Sequence, residues 1–163
     1  MAPSRWLAAC VLFLGLSAGA PGCQGAELQD PADSAAAATL HLESGSGQEQ
    51  SAFRRGEPVV LRLVVTNRSH DVLRLRCSSA RIHDARVARA DGHELWRWSH
   101  GQRYAQVLSE VTVPAGETRE FQVRWDQTTK DGSAAPPGRY QAEAWIPALG
   151  AAVRSPPVAF ELR

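Results

Sequence analysis

Glu57-Pro58-Val59-Val60-Leu61-Arg62-Leu63-Val64-Val65-Thr66 has an apolar period of two. Val59, Leu61, Leu63 and Val65 fall on one face, and Val60, Arg62, Val64 and Thr66 on the other. Successive side chains of a pleated strand point to opposite sides, so this stretch predicts a strand with one fully buried face. The same period continues in both directions. Toward the C-terminus, Asn67 to Asp71 is a cluster of turn formers, and Leu73, Leu75 and Cys77 then alternate with Arg74 and Arg76. That arrangement predicts a hairpin partner for the first strand. A second hairpin is expected over 82–98, where Ile82 to Arg89 and Glu94 to Trp98 flank the turn dipeptide Asp91-Gly92. Val107, Val111 and Val113 lead into the turn Pro114-Ala115-Gly116, after which Phe121, Val123 and Trp125 oppose Glu120, Gln122 and Arg124. A long polar loop, Asp126 to Gly138, precedes an inner face made of Tyr140, Ala142, Ala144 and Ile146. The last strand, with Val158, Phe160 and Leu162, follows Pro156-Pro157, which cannot donate to a ladder and so indicates an edge or a bend. Toward the N-terminus, Thr39 to Glu43 is a short alternating piece joined by the polar loop Ser44 to Gln50.

Seven to nine short strands divided by turn signals, without a helical period, predict an all-β domain over 39–163, an immunoglobulin-like antiparallel β-sandwich. The chain has no Cys-Trp-Cys framework, so apolar packing is expected to close the sandwich. With 163 residues, the chain is long enough for one such domain and too short for two.

Residues 1–22 have the layout of a signal peptide: Arg5, an apolar run from Trp6 to Leu16, then small residues up to Gly22. Ala20-Pro21-Gly22-Cys23 resembles a bacterial lipobox, which makes Cys23 the expected lipidation site and an N-terminal lipid the expected membrane contact. Residues 23–38 are small and polar except for Leu28 and read as a flexible tether. With such a leader the protein is expected to be exported to the cell envelope as a lipoprotein, or otherwise to be periplasmic or secreted. Cys77 then has no disulfide partner and is expected to be a small buried hydrophobe. If Cys23 carries no lipid, a Cys23 to Cys77 disulfide is the alternative.

Charge and motifs exclude more than they suggest. The chain carries 18 basic and 17 acidic residues, with 17 of the basic residues Arg and one Lys, and the arginines alternate with apolar residues as on the wet face of a sheet. No nucleic-acid partner follows from that pattern. His41, His70, His83, His93 and His100 never fall at ligand spacing, so no metal or other cofactor is expected, and His83 and Asp84 are expected to be polar residues on the surface. The sequence contains no nucleophile elbow, phosphate loop or His-Glu-x-x-His, so no catalytic residues are expected and the protein is expected not to be an enzyme. Asn67-Arg68-Ser69 matches a glycosylation sequon but reads as turn chemistry.

Gly92 to Gln106 stands out, with Trp96-Arg97-Trp98-Ser99-His100-Gly101 at its centre. Downstream come Pro114-Ala115-Gly116-Glu117, Phe121, Trp125 and Pro137-Gly138-Arg139-Tyr140, and upstream lies Gly56 to Asn67. As a set, this order and spacing over 53–147 resembles the intracellular proteinase inhibitor family, the BsuPI domain. The resemblance implies an immunoglobulin-like sandwich and inhibition of a subtilisin-type serine protease. It makes Trp96, Trp98, Gly116, Trp125, Pro137, Gly138 and Tyr140 structural motif residues. The chain departs from the family pattern after Cys77-Ser78-Ser79, where Ala80-Arg81-Ile82-His83-Asp84 replaces the Gly-Gln and aromatic residues usual there.

Trp96 and Trp98 are expected to pack under the Gly101 turn, with Ser99 satisfying backbone groups within it. Ser99 to Gln106 is expected to project as a binding loop, with Ser99, Gly101, Arg103, Tyr104 and Gln106 as partner contacts and Arg103 and Tyr104 foremost; Asp126 to Gly138 is the other candidate loop. The expected function is that of a monomeric protein-binding domain of inhibitor type. The alternatives are an envelope adaptor that pairs through a strand edge and, less favoured, a carbohydrate-binding module with Trp145 as an exposed platform.

Overall fold

The computed structural model describes residues 35–163, and the leader, Cys23 and most of the expected tether lie outside the described residues. Within them the chain forms eleven strands and no helix: β1 (Ala36–Glu43), β2 (Ala52–Phe53), β3 (Val59–Asn67), β4 (Leu73–Cys77), β5 (Asp84–Arg89), β6 (Glu94–Arg97), β7 (Ser109–Val113), β8 (Thr118–Trp125), β9 (Gly138–Ile146), β10 (Val153–Arg154) and β11 (Val158–Leu162). The strands form three hydrogen-bonded sheets: one of order β1-β3-β8, one of order β2-β11-β9-β5-β6 with β10 appended to β9, and the two-stranded pair β4-β7. Each pair is antiparallel except β2 with β11. The expected all-β sandwich is therefore the observed class.

Alternation sets the core as the sequence predicts. Val59, Leu61, Leu63 and Val65 of β3 meet Val123 and Phe121 of β8, and across the sandwich they face Val87 of β5 and Tyr140, Ala142, Ala144 and Ile146 of β9. Trp125 sits at the centre of an aromatic cluster, with ring centroids 6.2 Å from Trp96, 6.2 Å from Tyr140 and 6.0 Å from Phe160. Its indole N–H donates to the Thr128 carbonyl at 2.7 Å, so the buried polar edge is satisfied. Tyr140, near the start of β9, donates its hydroxyl to the Pro136 carbonyl four residues upstream. This is the tyrosine corner of immunoglobulin-like sandwiches, here without their disulfide.

Three expectations change. Residues 36–38 are not tether but the start of β1, paired with Asn67, Thr66 and Val65 of β3. A backbone ladder needs no side-chain bulk, so a run of alanines hides it. β4 is not the hairpin partner of β3: it pairs with β7, while β3 lies between β1 and β8. The cause is Asn67, whose buried side-chain amide donates to the carbonyls of Asp71, Val113 and Pro114 while its oxygen accepts the Ser69 N–H. The turn is thereby held as a corner, and the chain resumes alongside β7 instead of folding back on β3. Asn67 is 0% exposed, in keeping with turn chemistry rather than a sequon. Finally, β11 is not an open edge along its whole length, because β2 covers Glu161 and Leu162.

Cys77 is a buried free thiol, and burial pushes its pKa up, away from the reactive thiolate. It is paired on one side with Ser109 of β7 and on the other, through an isolated bridge, with Ala148 beyond β9, so the β4-β7 pair is joined at this end to the segment that follows β9.

Candidate functional site

The loop that leaves β6 at Trp98 and enters β7 at Ser109 rests on a buried carboxylate. Asp84, at the start of β5, is 0% exposed. Its Oδ1 accepts the Ser99 N–H at 3.1 Å and the Ala85 N–H at 2.9 Å. Its Oδ2 accepts the Ser99 hydroxyl at 2.8 Å and the Arg81 guanidinium at 3.2 Å, with Arg97 3.9 Å away. A buried carboxylate without partners costs several kcal/mol, on the order of the desolvation of an ion, whereas this one is filled by four donors. Asp84 is thus no surface residue, contrary to the expectation for His83-Asp84, and the Ser99 hydroxyl bonds to it rather than to the backbone of its own turn. His83, its neighbour, has both ring nitrogens buried and without a hydrogen-bond partner, packed 5.2 Å from the Phe121 ring. Burial lowers its pKa against the pull of Asp84 and keeps the ring neutral.

From Ser99 the loop turns at Gly101, whose φ of 75° lies in the left-handed region that favours glycine. Gln102 donates its backbone N–H to Ser99 and its side-chain amide to the Trp98 carbonyl at 2.6 Å, and it accepts the Tyr104 hydroxyl at 3.0 Å. Burial, followed by the field of Asp84, raises the Tyr104 pKa, so its phenol stays protonated. The Ala105 carbonyl accepts the Ala80 N–H at 2.9 Å, which fixes the loop a second time to the segment after β4. Ser99, Gln102, Arg103, Tyr104 and Gln106 thereby line one open groove with Ser78, Ser79 and Arg81. The expected contact residues therefore come together, with Gly101 at the turn beside them. Tyr104 is half-buried, while Arg103 and Gln106 are exposed.

Sequence reasoning missed two of the exposed large apolar residues. Leu108 is 73% and Val107 54% exposed, just ahead of β7, where the apolar pattern placed Val107 on a strand face. The signal against that placement was adjacency, since Val107 and Leu108 cannot share one face of a strand. Trp96 and Trp98 are half-buried and pack against the core. Gly116 occupies the turn before β8 with φ 72°, and Pro137 and Gly138 lead into β9. Trp145 is only 5% exposed: the guanidiniums of Arg154 and Arg97 lie 4.3 Å and 5.2 Å from its ring. It offers no open platform, which corrects the carbohydrate reading at that residue.

The other long loop, after β8, is closed on itself. Gln127 is buried at φ 57°, accepts the Gly56 N–H and donates its amide to the carbonyls of Arg54 and Glu57. Thr128 bridges to Ala134, and the Lys130 N–H donates to Leu95 of β6. No group of three or more His, Cys, Asp and Glu side chains that could hold a metal ion occurs among the described residues.

The fold is that of an immunoglobulin-like β-sandwich protein. The chain belongs to the intracellular proteinase inhibitor family, BsuPI, whose family model matches residues 47–150. That family is described as intracellular, which overturns the expectation of an exported, envelope-bound protein. No curated protein matches the chain. Among solved structures it is similar to the C-terminal domain of Wzt, at 12% identity and TM-score 0.48 over 77% of this chain and 73% of that one. It is also similar to the sporulation control protein Spo0M of Bacillus subtilis, at 16% identity and TM-score 0.47 over 80% of this chain and 50% of that one. A CARDB domain of Pyrococcus furiosus, solved with two metal ions, matches at 11% identity and TM-score 0.41 over 78% of this chain and 89% of that one.

Proposed function

We propose that the protein is a stoichiometric inhibitor of a serine protease and that it contacts the enzyme through the loop Ser99 to Leu108. Family membership supplies the class of activity. The observation that carries the choice of surface is the loop's double attachment, at Ser99 to buried Asp84 and at Ala105 to Ala80, with exposed side chains beyond. An inhibitor must fill a protease cleft without being cleared from it as a product. A loop already held in its bound shape loses little conformational freedom on binding. Neighbouring residues of the groove, Arg81 and Gln102 above all, hold the loop rather than attack anything.

Edge pairing with a partner strand has less support. The outer edge of β8 carries exposed Arg119, Glu120 and Arg124, charges of the kind that discourage a further strand.

The test is a titration of subtilisin with the purified protein, followed by residual activity and by integrity of the inhibitor on a gel. The expected result is loss of activity that saturates near one equivalent with the chain intact. Unchanged activity with digestion of the chain would contradict the proposal.

A further inference from the structure

The exposed large apolar residues among the described ones are Val72, Val107, Leu108 and Leu149. Three of them, Val107, Leu108 and Leu149, lie at one end of the sandwich on either side of β4. Ser109 and Ala148 pair with Cys77 from opposite sides, and the Leu149 N–H donates to the Arg76 carbonyl at 2.7 Å. Leu108 and Leu149 therefore flank the end of β4, about 10 Å apart by two strand spacings. Gln106, Val107 and Leu108 form a three-residue bridge between two fixed points, the Ala105 carbonyl held by Ala80 and Ser109 in its ladder with Cys77. The Ser109 hydroxyl reaches back to the Val107 carbonyl at 3.4 Å. Leu108 is the most exposed of the four and sits at the end of this bridge.

Resting on the inhibitor reading, we infer that Leu108 is the specificity-determining side chain, the one that enters the apolar primary pocket of the protease. A serine protease selects its substrates by the chemistry of that pocket, which is acidic in trypsin and apolar in subtilisin and chymotrypsin. An apolar side chain held out in water by a fixed backbone gains from entering such a pocket and loses little order in doing so. Arg103, on the same loop, is also exposed but lies before the second anchor at Ala105 and serves as a flanking contact.

The experiment compares the parent protein with Leu108→Ala and Leu108→Arg as inhibitors of subtilisin and of trypsin. Because Leu108 is on the surface, both variants are expected to fold, and equal melting temperatures confirm it. Leu108→Ala is expected to weaken inhibition of subtilisin by at least about 30-fold, the size of a central interface residue. Leu108→Arg is expected to abolish inhibition of subtilisin and to gain inhibition of trypsin by at least about tenfold. If both variants inhibit subtilisin as well as the parent does, Leu108 is not the determinant and another surface makes the contact. If the parent itself leaves subtilisin active, the inhibitor reading fails and the assignment of Leu108 fails with it.

Discussion

The two long loops of this sandwich have similar lengths and opposite constructions. After β8, the chain turns inward: Gln127 is buried, the Trp125 indole is capped by Thr128, Ala135 is buried, and Lys130 reaches back to β6. After β6, the chain is held from beneath by Asp84 and Ala80, and its apolar residues Val107 and Leu108 point into solvent. The first loop plugs the end of the aromatic core. The second is presented on that core. What separates them is where the buried polar group lies: within the loop in one case, below it in the other.

This contrast is sharpened most strongly by Trp125→Ala, which empties the centre of the cluster under the first loop. It is expected to cost about 3–5 kcal/mol, read as a loss or collapse of the thermal unfolding transition. Asp84→Ala and Gln127→Ala separate the two constructions. Asp84→Ala is expected to cost about 2–3 kcal/mol, because it strands the Ser99 N–H and the Arg81 guanidinium, and to weaken protease inhibition at least tenfold. Gln127→Ala is expected to cost about 1–2 kcal/mol by denaturant unfolding while inhibition stays within twofold. Equal effects of the two on inhibition would remove the distinction between plug and display.

A smaller effect concerns His83. Its ring is neutral in the fold because burial lowers its pKa, whereas in the unfolded chain it takes a proton near pH 6.5. The unfolded state therefore binds more protons below about pH 6.5, and stability falls as pH drops from there toward the folded value. His83→Leu is expected to lack that component, so its melting temperature should gain a few degrees on the parent between pH 7 and pH 5.

The alternation of Val59 to Val65 and of Tyr140 to Ile146 was legible in the sequence because a period of two leaves only one inward face. The partner of β4 was not, since it depends on the three carbonyls that Asn67 reaches, two of them 46 and 47 residues away. The loop itself was legible from its Trp-x-Trp-Ser-x-Gly piece, but its support was not. A charged residue at a strand start reads as solvated, and the burial of Asp84 comes from Ser99, 15 residues on. The burial of Trp145 was hidden for a related reason, because long arginine side chains cover an outward face without altering its pattern.

The central claim is that the loop after β6, not the one after β8, meets the protease. Hydrogen–deuterium exchange of the protein, alone and with a subtilisin whose nucleophilic serine is replaced by alanine, tests it directly. New protection is expected over Gly101 to Ser109, with unchanged exchange over Gln127 to Pro137. Protection confined to Gln127 to Pro137, or none in either loop at saturating protease, would contradict it.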